Sequence, residues 1–196
     1  MFFKQQRVGR NGKPFGLLKF ATMLKDSPNL GAGTITTKDD PRVLPFGKFL
    51  RKTKINELPQ LINILRGDMS VIGPRPQTRR CFEAFPQPSQ AEIVKVRPGL
   101  SGIGSIVFRG EEEMMDAAHD PNGFYDEIIM PYKGQLEEWY VQKDNLGVYL
   151  LLICITVWVV CRPRDMAIVW SIFKDLPTPP RLLAPFFDGN EPPSLP

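Results

Sequence analysis

Leu50–Pro76, LRKTKINELPQLINILRGDMSVIGPRP, governs how the rest of the chain is read. A basic lead-in, Arg51-Lys52-Thr53-Lys54, runs into Asn56-Glu57. Leu58, Leu61, Ile62 and Leu65 then recur at the spacing of one apolar helix face. Asn56 suits the N-cap of that helix, Pro59 is tolerated in a first turn, and Gly67 stands where a helix end wants positive φ. Gly73-Pro74-Arg75-Pro76 closes the stretch as a stiff turn, with two prolines fixing the backbone around one guanidinium.

Two readings of these residues stand side by side. A helix N-terminus beside Arg51, Lys52, Lys54 and Arg75 is suited to phosphate. Glu57 then serves as a base, or holds a divalent cation against phosphate oxygens. Alternatively, Asn56 and Glu57 are an ordinary cap and first turn, and the basic residues form a solvated strip.

Composition narrows the classes. The length allows one domain with a proper core. The net charge of +4 fits an anionic membrane surface or a phosphorylated ligand. Basic residues alternate with acidic ones and no aromatic-basic stacking motif stands out, which argues against nucleic acid. Cys81, Cys154 and Cys161 read as reduced thiols, and a single histidine, His119, excludes most His-based metal sites.

Outward from the central stretch, residues 2–22 read as a hairpin about Gly9-Arg10-Asn11-Gly12, with Lys19 near its exit. Residues 25–41 read as a loop, 42–51 as a short helix and 77–95 as helix interrupted by Pro86 and Pro88. Arg97–Gly104 is a glycine-rich turn, either a phosphate approach or a plain turn. Ile106-Val107-Phe108 is a candidate strand. Helices follow from Glu111 and over 124–144. Leu146–Cys161 is the most apolar run, too short to span a bilayer comfortably. It is a helix either buried in the core or lying at a membrane interface. The elements make an α+β, mainly helical single domain over 1–176 with a short N-terminal β-hairpin. Residues 177–196 are proline-rich and expected to be disordered.

Four ordered segments resemble the bacterial sugar transferases, the monotopic polyprenyl-phosphate phosphoglycosyl transferases. They are the central stretch, Lys19-Phe20-Ala21-Thr22-Met23, the run from Asp40-Pro41-Arg42-Val43 through Gly47-Lys48-Phe49-Leu50-Arg51, and Val96-Arg97-Pro98-Gly99-Leu100-Ser101-Gly102. The resemblance covers most of residues 2–160. It implies a membrane-associated, monotopic protein on the cytoplasmic face of the bacterial inner membrane. It also implies transfer of a sugar 1-phosphate from a nucleotide diphosphate sugar to a polyprenyl phosphate, assisted by Mg2+, at the start of surface glycan synthesis. Lys19, Arg51, Arg75 and Arg97 are then the phosphate-binding residues, Asn56 and Glu57 the catalytic pair, and Glu57 the metal ligand. The family places a membrane-inserting helix ahead of the hairpin, which this sequence lacks, and Glu137 stands where the family has a later Asp. The family's nucleophile is the Asp of an Asp-Glu pair; here the position is Asn56, whose uncharged carboxamide is a poor nucleophile. An inactive nucleotide-sugar-binding remnant, or a truncated fragment, is the alternative.

Overall fold

In a computed structural model, residues 2–25, 27, 40–116, 118–162 and 167–187 are described, save the side chains of residues 112 and 113. Most of the loop expected at 25–41 lies outside them. The hairpin forms as its alternation predicts. Strand β1 (Phe2–Val8) pairs antiparallel with β2 (Pro14–Phe20), in register from Phe2 opposite Phe20 to Val8 opposite Pro14. Asn11 and Gly12 take φ of 57° and 70° at its tip, a conformation these two residue types tolerate best. The register puts Gln5, Arg7, Leu17 and Lys19 on one face.

Helix α1 (Pro45–Lys52) starts with proline in its first turn and leads into a tight 3-10 turn at Ile55–Glu57. Asn56 is therefore not an N-cap. Lys54 holds the capping position with φ of 58°, and Asn56 lies inside the turn, buried. Helix α2 (Gln60–Leu65) follows, and Gly67 ends it at φ of 81° as expected.

The apolar face of α2 points outward. Leu58, Leu61, Ile62 and Leu65 are exposed, Leu65 by 88%, while Gln60 and Asn63 face in. The cause is the backbone of β2. Asn63 Oδ1 accepts from the Leu18 N–H at 3.0 Å, and Asn63 Nδ2 donates to the Gly16 carbonyl at 2.9 Å. A polar residue is needed there to satisfy strand groups that no further strand pairs.

Strand β3 (Ser70–Ile72) pairs in parallel with β4 (Gly99–Ser101). The glycine-rich turn is thus partly a strand. Its glycines serve close approach: a Cβ on Gly99 would lie 2.2 Å from the Gly73 nitrogen, and one on Gly102 would lie 2.3 Å from the Gly73 carbonyl. The connection between β3 and β4 carries α3 (Arg79–Glu83) and α4 (Gln87–Ile93), broken at Pro86 as expected.

The candidate strand at Ile106–Phe108 is instead the end of helix α5 (Ile103–Val107). Its β-branched residues suit a strand by propensity, but all sides of the turn are buried and packing overrides that preference. Helices α6 (Glu111–Asp116) and α7 (Pro121–Phe124) follow, and a π-turn at Tyr125–Ile129 runs into α8 (Met130–Lys143). Helix α8 is central to the core, burying Met130, Tyr132, Leu136 and Tyr140.

Helix α9 (Leu146–Cys161) buries Leu152, Ile155 and Val159 and is tied to the short sheet by two hydroxyl pairs. These are Ser70–Tyr149 at 3.0 Å and Ser101–Thr156 at 2.9 Å. Its other face, with Leu150, Val157 and Val160, is exposed. Among the described residues no helix is long and apolar enough to cross a membrane.

Helices α10 (Ala167–Ile172) and α11 (Ala184–Phe187) complete the described fold. Disorder does not extend over the first part of the proline-rich stretch. Leu183 and Phe187 are buried, the Phe187 ring lies 5.7 Å from that of Phe108, and Tyr132 donates to the Pro177 carbonyl at 2.8 Å. The packed unit therefore continues past residue 176, and residues 188–196 lie outside the described set.

Candidate functional site

The two halves of the central stretch meet. Arg75, carried by the Pro-Arg-Pro turn after β3, donates from Nη2 to Glu57 Oε1 at 2.8 Å. Glu57 sits at the end of the 3-10 turn, largely buried. Burial by itself raises its pKa, but the charges of Arg75 and Lys19 and the Arg75 hydrogen bond outweigh it and hold the carboxyl at about 2. Glu57 in turn raises Arg75 above the usual guanidinium range.

Lys19 reaches this place from β2. Burial, then the positive charges of Arg75 and Arg7, bring its pKa down to about 7, while Glu57 opposes them. Arg7, on the same hairpin face, is lowered to about 10 by burial and by Arg75, and its guanidinium donates to the Pro76 carbonyl at 3.2 Å. Lys54 also acts on Glu57, and the Arg51 charge is felt at Lys19. Arg7, Lys19, Lys54 and Arg75 thus interact with one carboxylate, and Arg51 lies near enough to act on Lys19. Beyond burial, the surrounding positive charge lowers Lys19 and Arg7, and a ligand carrying several negative charges would relieve it.

Of the expected phosphate-binding residues, the structure brings Lys19 and Arg75 to Glu57, with Arg51 near Lys19. Arg97 approaches by its backbone: its side chain is exposed, and its carbonyl would lie 2.5 Å from a Cβ on Gly73. Asn56 keeps a buried Oδ1 without a hydrogen-bond partner. Arg7 is the cation that sequence reading missed; its signal was its place two residues from Gln5 on the face shared with Lys19. A second ion pair also went unseen. Lys133 on α8 is buried and donates to both oxygens of Glu111, at 3.0 and 2.9 Å.

Asp40 and Arg42, from another of the quoted segments, form a buried pair of their own. Arg42 Nη2 lies 2.5 Å from Asp40 Oδ2, and Arg42 Nη1 donates to the Ser27 carbonyl at 2.8 Å. The pair lies just ahead of α1, and beside the Arg42 hydrogen bond the Arg51 charge from that helix also lowers the Asp40 pKa.

The family model for bacterial sugar transferases matches residues 1–163. The chain belongs to that family. An uncharacterized sugar transferase of Bacillus subtilis (strain 168) is 34% identical over 157 residues, 80% of this chain and 68% of the relative. The UDP-glucose:undecaprenyl-phosphate glucose-1-phosphate transferase of Escherichia coli (strain K12) is 40% identical over 153 residues, 76% of this chain but 31% of the relative. A UDP-N-acetylgalactosamine-undecaprenyl-phosphate N-acetylgalactosaminephosphotransferase of Aeromonas hydrophila is 40% identical over 109 residues, 55% of this chain and 26% of the relative. The chain therefore spans less than a third of the length of two of these relatives.

Proposed function

We propose that this bacterial sugar transferase moves a sugar 1-phosphate from a nucleotide diphosphate sugar to undecaprenyl phosphate, beginning the synthesis of an exopolysaccharide or other surface glycan. The observation that carries the reading is the cluster itself: the half-buried cations Arg7, Lys19 and Arg75 beside Glu57, an excess of positive charge matched to a diphosphate. The names of the relatives supply the donor and acceptor classes. They lend no support to an inactive remnant.

In this reading Lys19, Arg51 and Arg75 hold the donor's phosphates. A P–O bond forms from the lipid phosphate to the sugar-linked phosphorus, the P–O bond to the nucleoside monophosphate breaks, and that monophosphate leaves. Glu57 is ionised at neutral pH but tied to Arg75, which suits it to orienting charge more than to attack. Asn56 is unsuited to covalent chemistry. The donor set fits Mg2+ held mainly by substrate: one carboxylate, Glu57, and in the next residue the unpartnered Oδ1 of Asn56, both hard oxygen donors. Such an ion would neutralise phosphate charge.

The reading places the chain at the cytoplasmic face of the inner membrane. Its support is the exposed apolar surface of α1 and α2, where Phe46, Phe49, Leu61 and Leu65 neighbour Lys48, Lys52 and Arg66.

The test supplies undecaprenyl phosphate in vesicles with UDP-glucose or UDP-N-acetylgalactosamine and follows release of UMP. Glu57→Gln is expected to abolish turnover; full activity in that variant overturns the assignment. Donor without lipid should leave no sugar phosphate on the wild-type chain. An adduct on Glu57 would replace direct displacement by a covalent route.

A further inference from the structure

The turn that carries Arg75 is held through both proline carbonyls, Pro74 accepting from the Gly99 N–H at 2.9 Å and Pro76 from Arg7 at 3.2 Å, and through Arg75 itself. Its guanidinium meets Glu57, and its backbone N–H donates to Oε1 of Glu137 on α8 at 3.3 Å. Prolines have no N–H, so within Pro74-Arg75-Pro76 the Arg75 amide is the only backbone donor. The two rings fix φ at 74 and 76, which leaves Arg75's own torsions to set where its side chain goes. Pro76 restricts those torsions, and Glu137 holds the one backbone donor of the three residues.

Glu137 is placed there at a cost. It is 1% exposed, and its Oε2 is buried with no hydrogen-bond partner. A buried carboxyl so poorly satisfied is unfavourable, and an apolar side chain of similar size would fill the space more cheaply. Lys133, one turn earlier on α8, does not answer it, being bonded to Glu111. Room for the carboxyl comes from Gly104 of α5, where a Cβ would lie 2.4 Å from Oε1. Two elements thus accommodate a carboxyl whose one described bond is to the Arg75 amide.

We infer that Glu137 is a positioning residue of the transferase site: by accepting from the Arg75 N–H it fixes the backbone that aims the Arg75 guanidinium at Glu57 and the donor phosphates. The second half of that statement rests on the function proposed above; the first half does not. The groups that face Glu137 are the Arg75 amide and guanidinium from the turn, and Lys133 and Tyr140 from α8. Burial pushes the Glu137 carboxyl up to about 7, against the Arg75 N–H and the charges of Lys133 and Arg75.

The test uses the full chain and three readouts. First, the wild-type Arg75 amide, followed by its resonance, should exchange slowly with deuterium, and faster in Glu137→Leu. An unprotected wild-type amide overturns the proposal without need of any destabilised variant. Second, Glu137→Leu should move the Arg75 side-chain Nε resonance as the guanidinium loses its contact with Glu57, while Glu137→Gln, which keeps an acceptor oxygen, should hold it. A folded Glu137→Leu with an unmoved Arg75 Nε resonance also overturns it. Third, UDP-glucose or UDP-N-acetylgalactosamine should bind Glu137→Leu at least fivefold more weakly than wild type, with Glu137→Gln within twofold. If the wild type binds neither donor, the transferase reading has failed, and the two resonance measurements still decide the role of Glu137.

Discussion

Lys19 shows how one residue's environment sets a measurable pH dependence. Burial and the neighbouring arginines leave its pKa at about 7, well below the ordinary 10.5. A lysine in that state is charged below neutrality and loses its charge as pH rises through 7. Donor binding, read by calorimetry, should therefore weaken between pH 6 and 8. Lys19→Arg keeps its charge throughout, since guanidinium does not titrate in this range. That variant should bind with a shallower slope than wild type; a slope equal to wild type would assign the dependence to another group, such as Glu137. Arg75 offers a magnitude. Arg75→Lys keeps a charge but not the planar fork that meets a carboxylate or a phosphate, so donor binding should weaken by about 1.5–3 kcal/mol. Unchanged affinity would remove Arg75 from the site. The sign at Glu57 runs the other way: its folded pKa of about 2 lies below its ordinary 4.5, so its stabilisation is complete above 4.5 and is lost as pH falls toward 2. Urea unfolding of Glu57→Gln should show a shallower loss of stability across that acid window than wild type.

Helix α2 is where pattern and packing part company. The spacing of Leu58, Leu61, Ile62 and Leu65 is the same whether the face meets a core or another apolar phase, so the sequence shows the helix without showing which way it turns. What turns it is Asn63, whose amide answers two backbone groups of β2 across the fold. Asn63→Leu extends the apolar pattern, yet it strands a buried N–H and a buried carbonyl, at a cost of about 1–3 kcal/mol for each. Leu65→Ser, on the exposed side, should change the unfolding free energy by no more than about 0.5 kcal/mol. Equal effects from the two substitutions would contradict the orientation. The hairpin, the positive φ at Gly67 and helix α9 were legible because local residue types dictate them. The helix at Ile103–Val107 and the parallel pairing of Ser70–Ile72 with Gly99–Ser101 were not, since both depend on partners far along the chain. The candidate site divides the same way. Glu57 and Arg75 share one stretch and could be paired on paper, whereas Arg7 joins them only once the hairpin is docked, with the Val8 N–H bonded to the Gln77 carbonyl.

At the scale of the molecule, α9 and the pair α1 and α2 both carry exposed apolar side chains among the described residues, and the sequence pointed only to the first as a membrane contact. Leu146–Cys161, read as either a core helix or one at a membrane interface, divides its apolar residues between core and surface, with the Arg162 guanidinium over the Trp158 ring at 5.2 Å. The face formed by α1 and α2 is the other, with Phe46 69% exposed and stacked near Phe49 at 6.1 Å between ring centroids. The second has the stronger claim on a bilayer, because lysines and arginines of α1 and its exit border it and Glu57 lies in the turn between the two helices. Apolar insertion and attraction to anionic headgroups would then act on the elements that flank Glu57. The chain should sediment with anionic vesicles, less so as salt is raised past the point where the screening length falls below about 10 Å. Ser at both Phe46 and Leu65 should release most of it at moderate salt while leaving the melting temperature near wild type, since neither side chain is in the core. Ser at both Leu150 and Val157 tests the α9 surface in the same assay. Release by the second pair and not the first would turn the molecule over and set the α9 face against the bilayer. Release by neither would remove both surfaces, and with them the proposed attachment through this part of the chain.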